Sequence, residues 1–511
     1  MQPTRTNILL LQVDQLTASK LKCYGDPVSV SPNISQLANQ GSVFEQAYSN
    51  FPLCAPSRFS MLSGRLASNI GVYDNGSEFS SCVPTIPHFL AYSGYRTCLV
   101  GKMHFVGADQ LHGYETRLTT DIYPADFGWT GDWTEIRQRH SNDLRSFTQA
   151  GVCLRNPQME YDEEVTHRAR RKLYDLAREN DDRPFFLTVS FTHPHDPYQC
   201  PQEYWDLYPH HDIPMPTTGA LPDQLQDSYS MRLMQQYGLD KEQLGEELVR
   251  TARHAYYGSI SYIDQQIGSL LETLVETGFE RDTTIILTSD HGDMLGERGL
   301  WYKKSFFEDS VRVPLIVRKP GVSPSRIHTP VSLLDLLPTL VEIASTKSEA
   351  PGIADTLEGN SLVQLMHGLE DKTQRIVYSE NLAEGAMAPI LMVRDNRFKY
   401  IYSSIDPEQL FDLSSDPTEL NNLASDPEYQ TIKQGLKNLV EEKWDLESLT
   451  DNVLHSQDQR LFIRSVLDQQ RTCNWDFNPD DQASGQCLRA DRSYNDWAYN
   501  DVIGLTNPAS N

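Results

Sequence analysis

Short apolar runs alternate with longer stretches of helical periodicity through the first two thirds of the chain. The runs are bounded by turn-forming residues, a pattern typical of buried strands. They lie at residues 7–13, 95–100, 184–191, 283–289 and 313–317. Helices are predicted between them, at residues 32–40, 86–93, 161–180 and 246–278. Strands separated by helices predict a mainly parallel sheet that helices cover on both faces.

The pattern changes after about residue 370. Shorter strands are predicted at residues 375–380, 390–394 and 398–402, and a helix follows at residues 428–443. This pattern predicts a smaller antiparallel sheet. We therefore expect an α/β fold in three parts. These are a large mixed, mainly parallel sheet between helices (residues 1–370), a small antiparallel subdomain (371–455) and an extended tail (456–511).

The composition adds a strong negative charge to this picture. The 511 residues include 44 Lys and Arg against 70 Asp and Glu, a formal net charge of −26 at pH 7. With 39% hydrophobic residues, the chain can bury a large core. Net acidity disfavours nucleic acid and anionic membrane surfaces as partners, because both are polyanions. A small anionic substrate stays possible, since the local field of a site can oppose the global charge.

The cysteines and the apolar runs bear on the cellular compartment. The eight cysteines show no C-x-x-C pair and no dense framework, which is typical of a reduced, intracellular protein. No apolar run reaches the roughly 18 residues that a membrane-spanning helix needs. The first apolar stretch, residues 8–11, is too short for the core of a secretory signal. We therefore expect cytoplasmic residence and no membrane partner.

Ionisable residues follow four of the predicted strands. They are Asp14 and Gln15, Lys102 and His104, His193, and Asp290 and His291. One Asp after a strand usually caps a turn, but four coincident cases at the carboxyl ends of parallel strands indicate a ligand site. The side-chain oxygens and the one imidazole of Asp14, Gln15, Asp290 and His291 suit a hard divalent cation better than zinc. Positive charge and proton donors for an oxyanion ester would come from Lys102, His104, His193 and Lys303.

The octapeptide at residues 51–58, F-P-L-C-A-P-S-R, is the sharpest local signal. Pro56 fits the first turn of a helix, so Cys54 would lie just before a helix N-terminus, where the dipole favours an anion. Arg58 adds a permanent cation with a planar fork suited to sulfate or phosphate oxygens. Two other interpretations stay open: a buried cysteine beside a surface arginine, and a thiolate nucleophile paired with a histidine.

The residues C-A-P-S-R at 54–58, followed by Ser63-Gly64-Arg65, resemble the signature of the type I sulfatases of the alkaline phosphatase superfamily. The strand-end residues and the stretch S-D-H-G-D-M-L-G-E-R-G-L-W-Y-K, which ends at Lys303, fall in that family's order. The similarity runs from residue 7 to about residue 420. It implies that a formylglycine-generating maturation enzyme converts Cys54 to formylglycine (3-oxoalanine).

The resemblance also implies a role for each candidate residue. The hydrated aldehyde at residue 54 would attack sulfur, the alcohol would leave, and loss of a proton from the second hydroxyl would expel sulfate. Ca²⁺ is the expected metal, with Mg²⁺ or Mn²⁺ as alternatives, and its ligands would be Asp14, Gln15, Cys54, Asp290 and His291. The sulfate oxygens would contact Arg58, Lys102 and Lys303. Protons would move through His104 or His193.

Within the family, residues 103–115, residues 119–130 and the tail around Trp475 and Trp497 resemble the choline sulfatases. This likeness implies hydrolysis of choline-O-sulfate to choline and sulfate. The quaternary ammonium group would lie among Trp129, Asn75 and Glu384. It also implies a homo-oligomer, a dimer or a tetramer, that forms through the tail.

Three other functions stay open on the same residues. The first two are a phosphonate monoester or phosphodiester hydrolase and an arylsulfatase. The third is a catalytically silent binding protein in which Cys54 remains a thiol.

Overall fold

The computed structural model describes residues 6–123, 126–136, 142, 144–240, 244–344, 357–369 and 375–469. Residues 470–511, with Trp475 and Trp497 of the predicted tail, lie outside the described residues.

The strands, numbered in chain order, are β1 (Asn7–Val13), β2 (Ser42–Tyr48), β3 (Arg96–Gly101), β4 (Thr116–Arg117), β5 (Gly151–Val152), β6 (Phe185–Phe191), β7 (Gln199–Cys200), β8 (Thr283–Ser289), β9 (Arg312–Arg318), β10 (Ser325–Ile327), β11 (Val331–Ser332), β12 (Val377–Asn381), β13 (Ile390–Arg394), β14 (Phe398–Ser403) and β15 (Gln409–Asp412). The helices are α1 (Pro32–Gln40), α2 (Cys54–Ser63), α3 (Ile86–Tyr92), α4 (Arg145–Thr148), α5 (Pro157–Arg178), α6 (Gln202–Trp205), α7 (Ser228–Tyr237), α8 (Glu246–Glu276), α9 (Glu308–Val311), α10 (Leu336–Ala344), α11 (Val363–Met366), α12 (Gln430–Lys443) and α13 (Leu446–Gln469).

The large sheet has nine strands in the order β10-β2-β9-β8-β1-β6-β3-β4, with β11 also paired to β2. The strands from β8 to β4 run parallel, whereas β9 runs antiparallel to both β8 and β2. The central strand β1 is buried on both faces, which explains its unbroken apolar run. The predicted mixed, mainly parallel sheet is confirmed.

Two groups of helices pack beside this sheet. In one group, α8 contacts α1 and α5, and α5 also contacts β3 and β6. In the other group, α10 contacts α2 and α3. Among the described residues, no helix combines the length and the apolarity that crossing a membrane requires.

The predicted small antiparallel sheet is also confirmed. Strands β12 to β15 pair in chain order, each antiparallel to the next, and α12 contacts β13 and β14. Residues up to Gln469 form one compact unit that contains both sheets. The domain boundaries at residues 370 and 455 stay a prediction.

Helix α13 includes the first residues of the predicted tail. Its Arg460 forms a buried ion pair with Asp74, with Nη2 2.9 Å from Oδ2. The same carboxylate accepts hydrogen bonds from the backbone N–H groups of Gly76 (3.0 Å) and Gly131 (3.0 Å). The buried Arg460 therefore fixes α13 against the loops that carry Asn75 and Trp129.

Candidate active site

Polar side chains gather where the central strands of the large sheet end. Asp14 and Gln15 follow β1, and Asp290 and His291 follow β8. Because β1 pairs in parallel with both β8 and β6, the carboxyl ends of these strands lie side by side. The predicted grouping of Asp14 with Asp290 and His291 is therefore present in the structure.

Helix α2 brings Cys54 to these strand ends. Cys54 is the first residue of the helix rather than the residue before it, and it follows the extended Leu53. The Asn75 amide oxygen accepts a hydrogen bond from the Ala55 N–H (3.0 Å), which satisfies one free donor of the helix N-terminus. Cys54 Sγ lies 3.2 Å from His291 Nε2 and 3.9 Å from Asp14 Oδ1.

Four buried side chains form a candidate metal site. The ligand atoms of Asp14, Cys54, Asp290 and His291 all lie within 4.8 Å of one another. Burial lowers the pKa of His291, so its imidazole is neutral. Its Nδ1 lies 3.0 Å from the Gly292 carbonyl oxygen and must carry the proton, which leaves the Nε2 lone pair directed at the cluster. Two carboxylates and a neutral imidazole fit a divalent cation.

The Asp14 carboxylate is held in its charged form. Burial acts to raise its pKa, but the positive charges of Lys102 and Arg58 outweigh burial and hold the pKa well below its ordinary value. The Lys102 ammonium forms a buried ion pair with Asp14 and lies 4.1 Å from the centroid of the Tyr123 ring. Asp14 is therefore ready to bind a cation without first losing a proton.

Arg58 is completely buried, and its donors are engaged within the protein. Nη2 donates to Asp14 (2.9 Å) and Nε donates to Asp290 (2.8 Å). Nη1 donates to the Lys102 carbonyl oxygen and to Ser190 Oγ, both at 2.8 Å. The structure thus shows Arg58 linking the two carboxylates, and it rules out the surface arginine that the sequence left open.

Lys303 and Gln15 contact each other beside the cluster. The Lys303 ammonium donates to Gln15 Oε1 (2.5 Å) and to His195 Nε2 (2.6 Å). Gln15 Nε2 donates to Asp293 Oδ2 at 2.6 Å. Because both ends of the amide are engaged, metal ligation by Gln15 stays a prediction.

The histidines after β6 differ from expectation. His193 Nδ1 lies 2.7 Å from Asp162 Oδ2, and its ring packs against Tyr262. His195 lines the cavity beside Cys54 and contacts Lys303. The predicted residue is His193, whose place in the chain matches the family's order, and His195 is not among the predicted residues. The second histidine of the same T-H-P-H stretch was the available signal.

His104 is packed among aromatic rings next to the site. It is buried against Trp129 and Tyr123, with ring centroids 5.0 and 5.3 Å away. Neither ring nitrogen has a hydrogen-bond partner among the described residues. Burial lowers the pKa of His104 to about 3, so its imidazole is neutral at physiological pH.

We name the space above Cys54 the Cys54 cavity. It has a volume of about 340 Å³, and its lining includes Cys54, Asn75, Tyr123, Trp129, His195, Lys303, Lys304, Glu384 and Arg464. The Trp129 and Tyr123 ring centroids are 4.9 Å apart. The Lys304 ammonium donates to Glu384 Oε1 (2.5 Å), whereas Glu384 Oε2 has no hydrogen-bond partner among the described residues. The cavity therefore joins the cation-rich cluster to an aromatic wall and a carboxylate oxygen.

Several residues of this lining are absent from the predicted site, among them Tyr123, His195, Lys304 and Arg464. Tyr123 lies in the block 119–130 that resembles the choline sulfatases, and Lys304 follows the predicted Lys303, so a neighbouring motif could have identified both. Arg464 lies in the predicted tail, where no motif points to it.

Comparisons with known proteins agree with this geometry. The Sulfatase family model matches residues 6–346, and the model for the C-terminal part of N-sulphoglucosamine sulphohydrolase matches residues 296–445. The chain belongs to the sulfatase family. The resemblance seen in the sequence is confirmed, and this sulfatase is an enzyme of sulfate ester hydrolysis rather than a silent binding protein.

Individual relatives cover nearly all of this sulfatase. It is 44% identical over 494 residues to a choline-sulfatase of Rhizobium meliloti, a match that spans 95% of this chain and 96% of the relative. It is 29% identical over 436 residues to an arylsulfatase of Clostridium perfringens, spanning 80% and 88% of the two chains. The phosphonate monoester hydrolase of Agrobacterium radiobacter shares the fold, with a TM-score of 0.69 at 23% identity, over 88% of this chain and 96% of that chain.

The first prediction concerns the buried ion pairs of Arg58. Arg58→Met leaves Asp14 and Asp290 without their shared cation, so we expect the free energy of unfolding to fall by about 3–5 kcal/mol. Urea denaturation measures this change. Arg65→Met, seven residues along the chain and partly exposed, is the control and should change the free energy by no more than about 0.5 kcal/mol. Equal losses for the two variants would contradict the structural role of Arg58.

Proposed function

We propose that this sulfatase hydrolyses choline-O-sulfate to choline and sulfate. The observation that carries the proposal is Glu384 Oε2, which has no hydrogen-bond partner within the part of the chain that the structure describes and belongs to the same cavity as Trp129 and Cys54. A buried carboxylate oxygen beside an aromatic wall fits a quaternary ammonium group. The 44% identity to a choline-sulfatase supports the same substrate.

The cluster fits one divalent cation, with Asp14, Cys54, Asp290 and His291 as the residues that would hold it. Ca²⁺ is the proposed ion, since hard oxygen ligands predominate, and Mg²⁺ and Mn²⁺ share this preference. When bound, the cation would supply Lewis-acid polarisation of the nucleophile and of a sulfate oxygen. Formylglycine at residue 54 would supply the hydroxyl group that attacks sulfur.

The surrounding residues prepare the site for an anionic ester. Burial acts to lower the pKa of Lys303. The nearby groups Cys54, Asp196 and Asp14 outweigh burial and raise this pKa, so the ammonium stays charged beside the reacting atoms. Lys102 is held charged by Asp14 in the same way. Arg58 fixes Asp14 and Asp290 and acts on the substrate only through them. These charges lie where negative charge would develop on the sulfate oxygens.

We assign proton transfer to the leaving alcohol to His195 rather than to His193. The His195 Nδ1 lies 2.7 Å from the Asp196 carbonyl oxygen, which makes Nδ1 the protonated nitrogen, and Nε2 accepts a hydrogen bond from the Lys303 ammonium. The proton for the alcohol would therefore come from Lys303, pass to His195 Nε2 and leave Lys303 as a neutral amine. His104 is kept neutral by burial but packs against Trp129 and Tyr123 and does not line the cavity, so a role as base for the hydrate rests on the family resemblance alone.

The part of the cavity around Trp129 and Glu384, named here the alcohol end, would bind the quaternary ammonium group of the substrate through two contacts. Contact with the Trp129 ring contributes about 0.5–2 kcal/mol, depending on how completely the cation is desolvated. The Glu384 carboxylate is fixed by Lys304 through one oxygen, so its other oxygen faces the cavity. An arylsulfatase or a phosphodiester hydrolase has no use for this carboxylate, because its leaving group carries no positive charge.

The remaining expectations belong to the same proposal. Activity would require a formylglycine-generating maturation enzyme. A homo-oligomer formed through the tail at residues 456–511, of which 470–511 lie outside the described residues, stays a prediction. Residence in the cytoplasm agrees with the scattered cysteines.

The second prediction tests residue 54. In protein made in a host that matures sulfatases, mass spectrometry of the peptide containing residue 54 should show formylglycine in place of cysteine. Cys54→Ala should abolish turnover, whereas Cys82→Ala, at an exposed cysteine, should leave it unchanged. An unmodified Cys54 in fully active protein would contradict the formylglycine nucleophile.

The third prediction separates the two histidines. An Asn side chain reproduces the Nδ1 hydrogen bond of each histidine but lacks Nε2. We expect His195→Asn to lower kcat about 10²- to 10⁴-fold. His193→Asn keeps its bond to Asp162 and should change kcat less than about threefold. Steady-state kinetics decides, and a larger kcat loss in His193→Asn would reverse the assignment.

The fourth prediction concerns the alcohol. Trp129→Ala should lower kcat/KM for choline-O-sulfate about tenfold more than for a small neutral sulfate ester, which corresponds to about 1.4 kcal/mol. Glu384→Gln should likewise lower kcat/KM more for choline-O-sulfate than for the neutral sulfate ester. Equal losses on both esters would make Trp129 a packing residue, and a wild-type kcat/KM that is higher for a phosphodiester would overturn the choline proposal.

A further inference from the structure

A second cavity lies apart from the catalytic one. We name it the Arg298 cleft after one of its lining residues. It has a volume of about 450 Å³ and shares no lining residue with the Cys54 cavity. The 3₁₀ turn at Ala18–Lys20, the loop after β8 and the turn between β13 and β14 contribute to its walls.

Three buried cations line this cleft without a carboxylate partner among the described residues. Lys20, Arg298 and Arg394 are 9%, 6% and 2% exposed. The Lys20 ammonium makes no hydrogen bond or ion pair within the described part of the chain. Arg298 Nη1 donates to the Glu419 carbonyl oxygen (2.6 Å), whereas its Nε has no partner among the described residues.

The third cation is held only by neutral groups. Arg394 donates to Tyr48 Oη (3.2 Å), to the Gln46 amide oxygen (2.8 Å) and to the Asp395 carbonyl oxygen. These contacts fix the guanidinium group but do not neutralise it. Its positive charge therefore adds to those of Lys20 and Arg298.

Most carboxylates of the cleft are engaged elsewhere. Glu308 and Glu419 both pair with the buried Lys399, each at 2.8 Å. Glu297 accepts hydrogen bonds from the N–H groups of Thr217 (3.0 Å) and Thr218 (2.8 Å). The Asp309 carboxylate accepts a hydrogen bond from Ser19 (2.5 Å). Among the described residues, four cations and four carboxylates line the cleft, and the carboxylates have two further cationic partners, Lys399 and Arg253, the latter 3.6 Å from Glu297. Positive charge is in excess once these partners are counted, in a chain whose net charge is −26.

A buried charge that lacks a partner costs several kcal/mol, so an anion that enters the cleft would offset that cost. The Arg298 guanidinium carbon lies 4.1 Å from the Phe307 ring centroid, which fixes the plane of its donors. Planar donors of this kind match the oxygens of sulfate and phosphate. We propose that the Arg298 cleft binds a small tetrahedral oxyanion, sulfate or phosphate, at a site separate from the catalytic cavity.

Calorimetric titration of the full-length enzyme with inorganic phosphate tests this proposal, with sodium chloride at matched ionic strength as the blank. We expect one more saturable site in the wild type than in Lys20→Gln and Arg298→Gln, or at least tenfold weaker binding at that site in the variants. Lys22→Gln, two residues away on an exposed position, is the matched control and should retain the site. Inorganic sulfate should bind the same site, and tighter binding of methyl phosphate would identify a phosphate ester as the ligand.

Inhibition kinetics measures phosphate binding at the Cys54 cavity separately from binding at the Arg298 cleft. The inhibition constant of phosphate against a neutral sulfate ester reports on the Cys54 cavity, so it should change less than twofold in Lys20→Gln. Because the Lys20 ammonium makes no hydrogen bond or ion pair among the described residues and Gln keeps most of the side-chain stem, this variant should melt within a few degrees of the wild type. Identical stoichiometry and affinity in Lys20→Gln and Lys22→Gln would overturn the proposal, whatever ester the enzyme hydrolyses.

Discussion

The arrangement of the site depends on the contact between Arg58 and the two carboxylates Asp14 and Asp290. Two buried carboxylates that face each other repel strongly in a region of low dielectric constant. One guanidinium group donates to both, at 2.9 and 2.8 Å, and so holds them close enough to share a cation. Because Cys54 precedes Arg58 by four residues on α2, the two side chains lie on the same face of the helix. The ion pairs that link α2 to β1 and β8 therefore also position residue 54.

The same contact explains how an acidic protein handles an anionic substrate. The net charge of −26 is a property of the whole chain, whereas Arg58, Lys102 and Lys303 are buried within the site. Buried charges are weakly screened, so these cations control the local potential at short range. Asp14 and Asp290 favour the charged forms of these cations, and the cations in turn keep the two carboxylates ionised. Removing one member would therefore weaken the ionised state of the others.

The sequence predicts the parts of this structure that short patterns encode. The unbroken apolar runs of β1, β6 and β8 locate the sheet, and the motif at residues 54–58 locates the start of α2 beside the candidate metal site. Strand β2 is not predicted because Glu45 and Gln46 interrupt its run of apolar residues. The two residues form a bulge between Phe44 and Ala47. His195 escapes prediction for a long-range reason. The backbone N–H and the side chain of His193 both bind Asp162 on α5, 31 residues earlier, which turns the first histidine away from the cavity.

The two ends of the Cys54 cavity are supported by different parts of the chain. The sulfate end rests on β1, β8 and α2, whose contacts are buried ion pairs. The alcohol end rests on loops, and α13 holds these loops because Arg460 binds Asp74 and contacts Thr130 Oγ1 (3.2 Å), next to Trp129. Changes in α13 can therefore reshape the pocket for the alcohol without disturbing the charges around residue 54. This separation gives a physical reason why one sulfatase scaffold can keep its chemistry while its relatives carry the names of different esters.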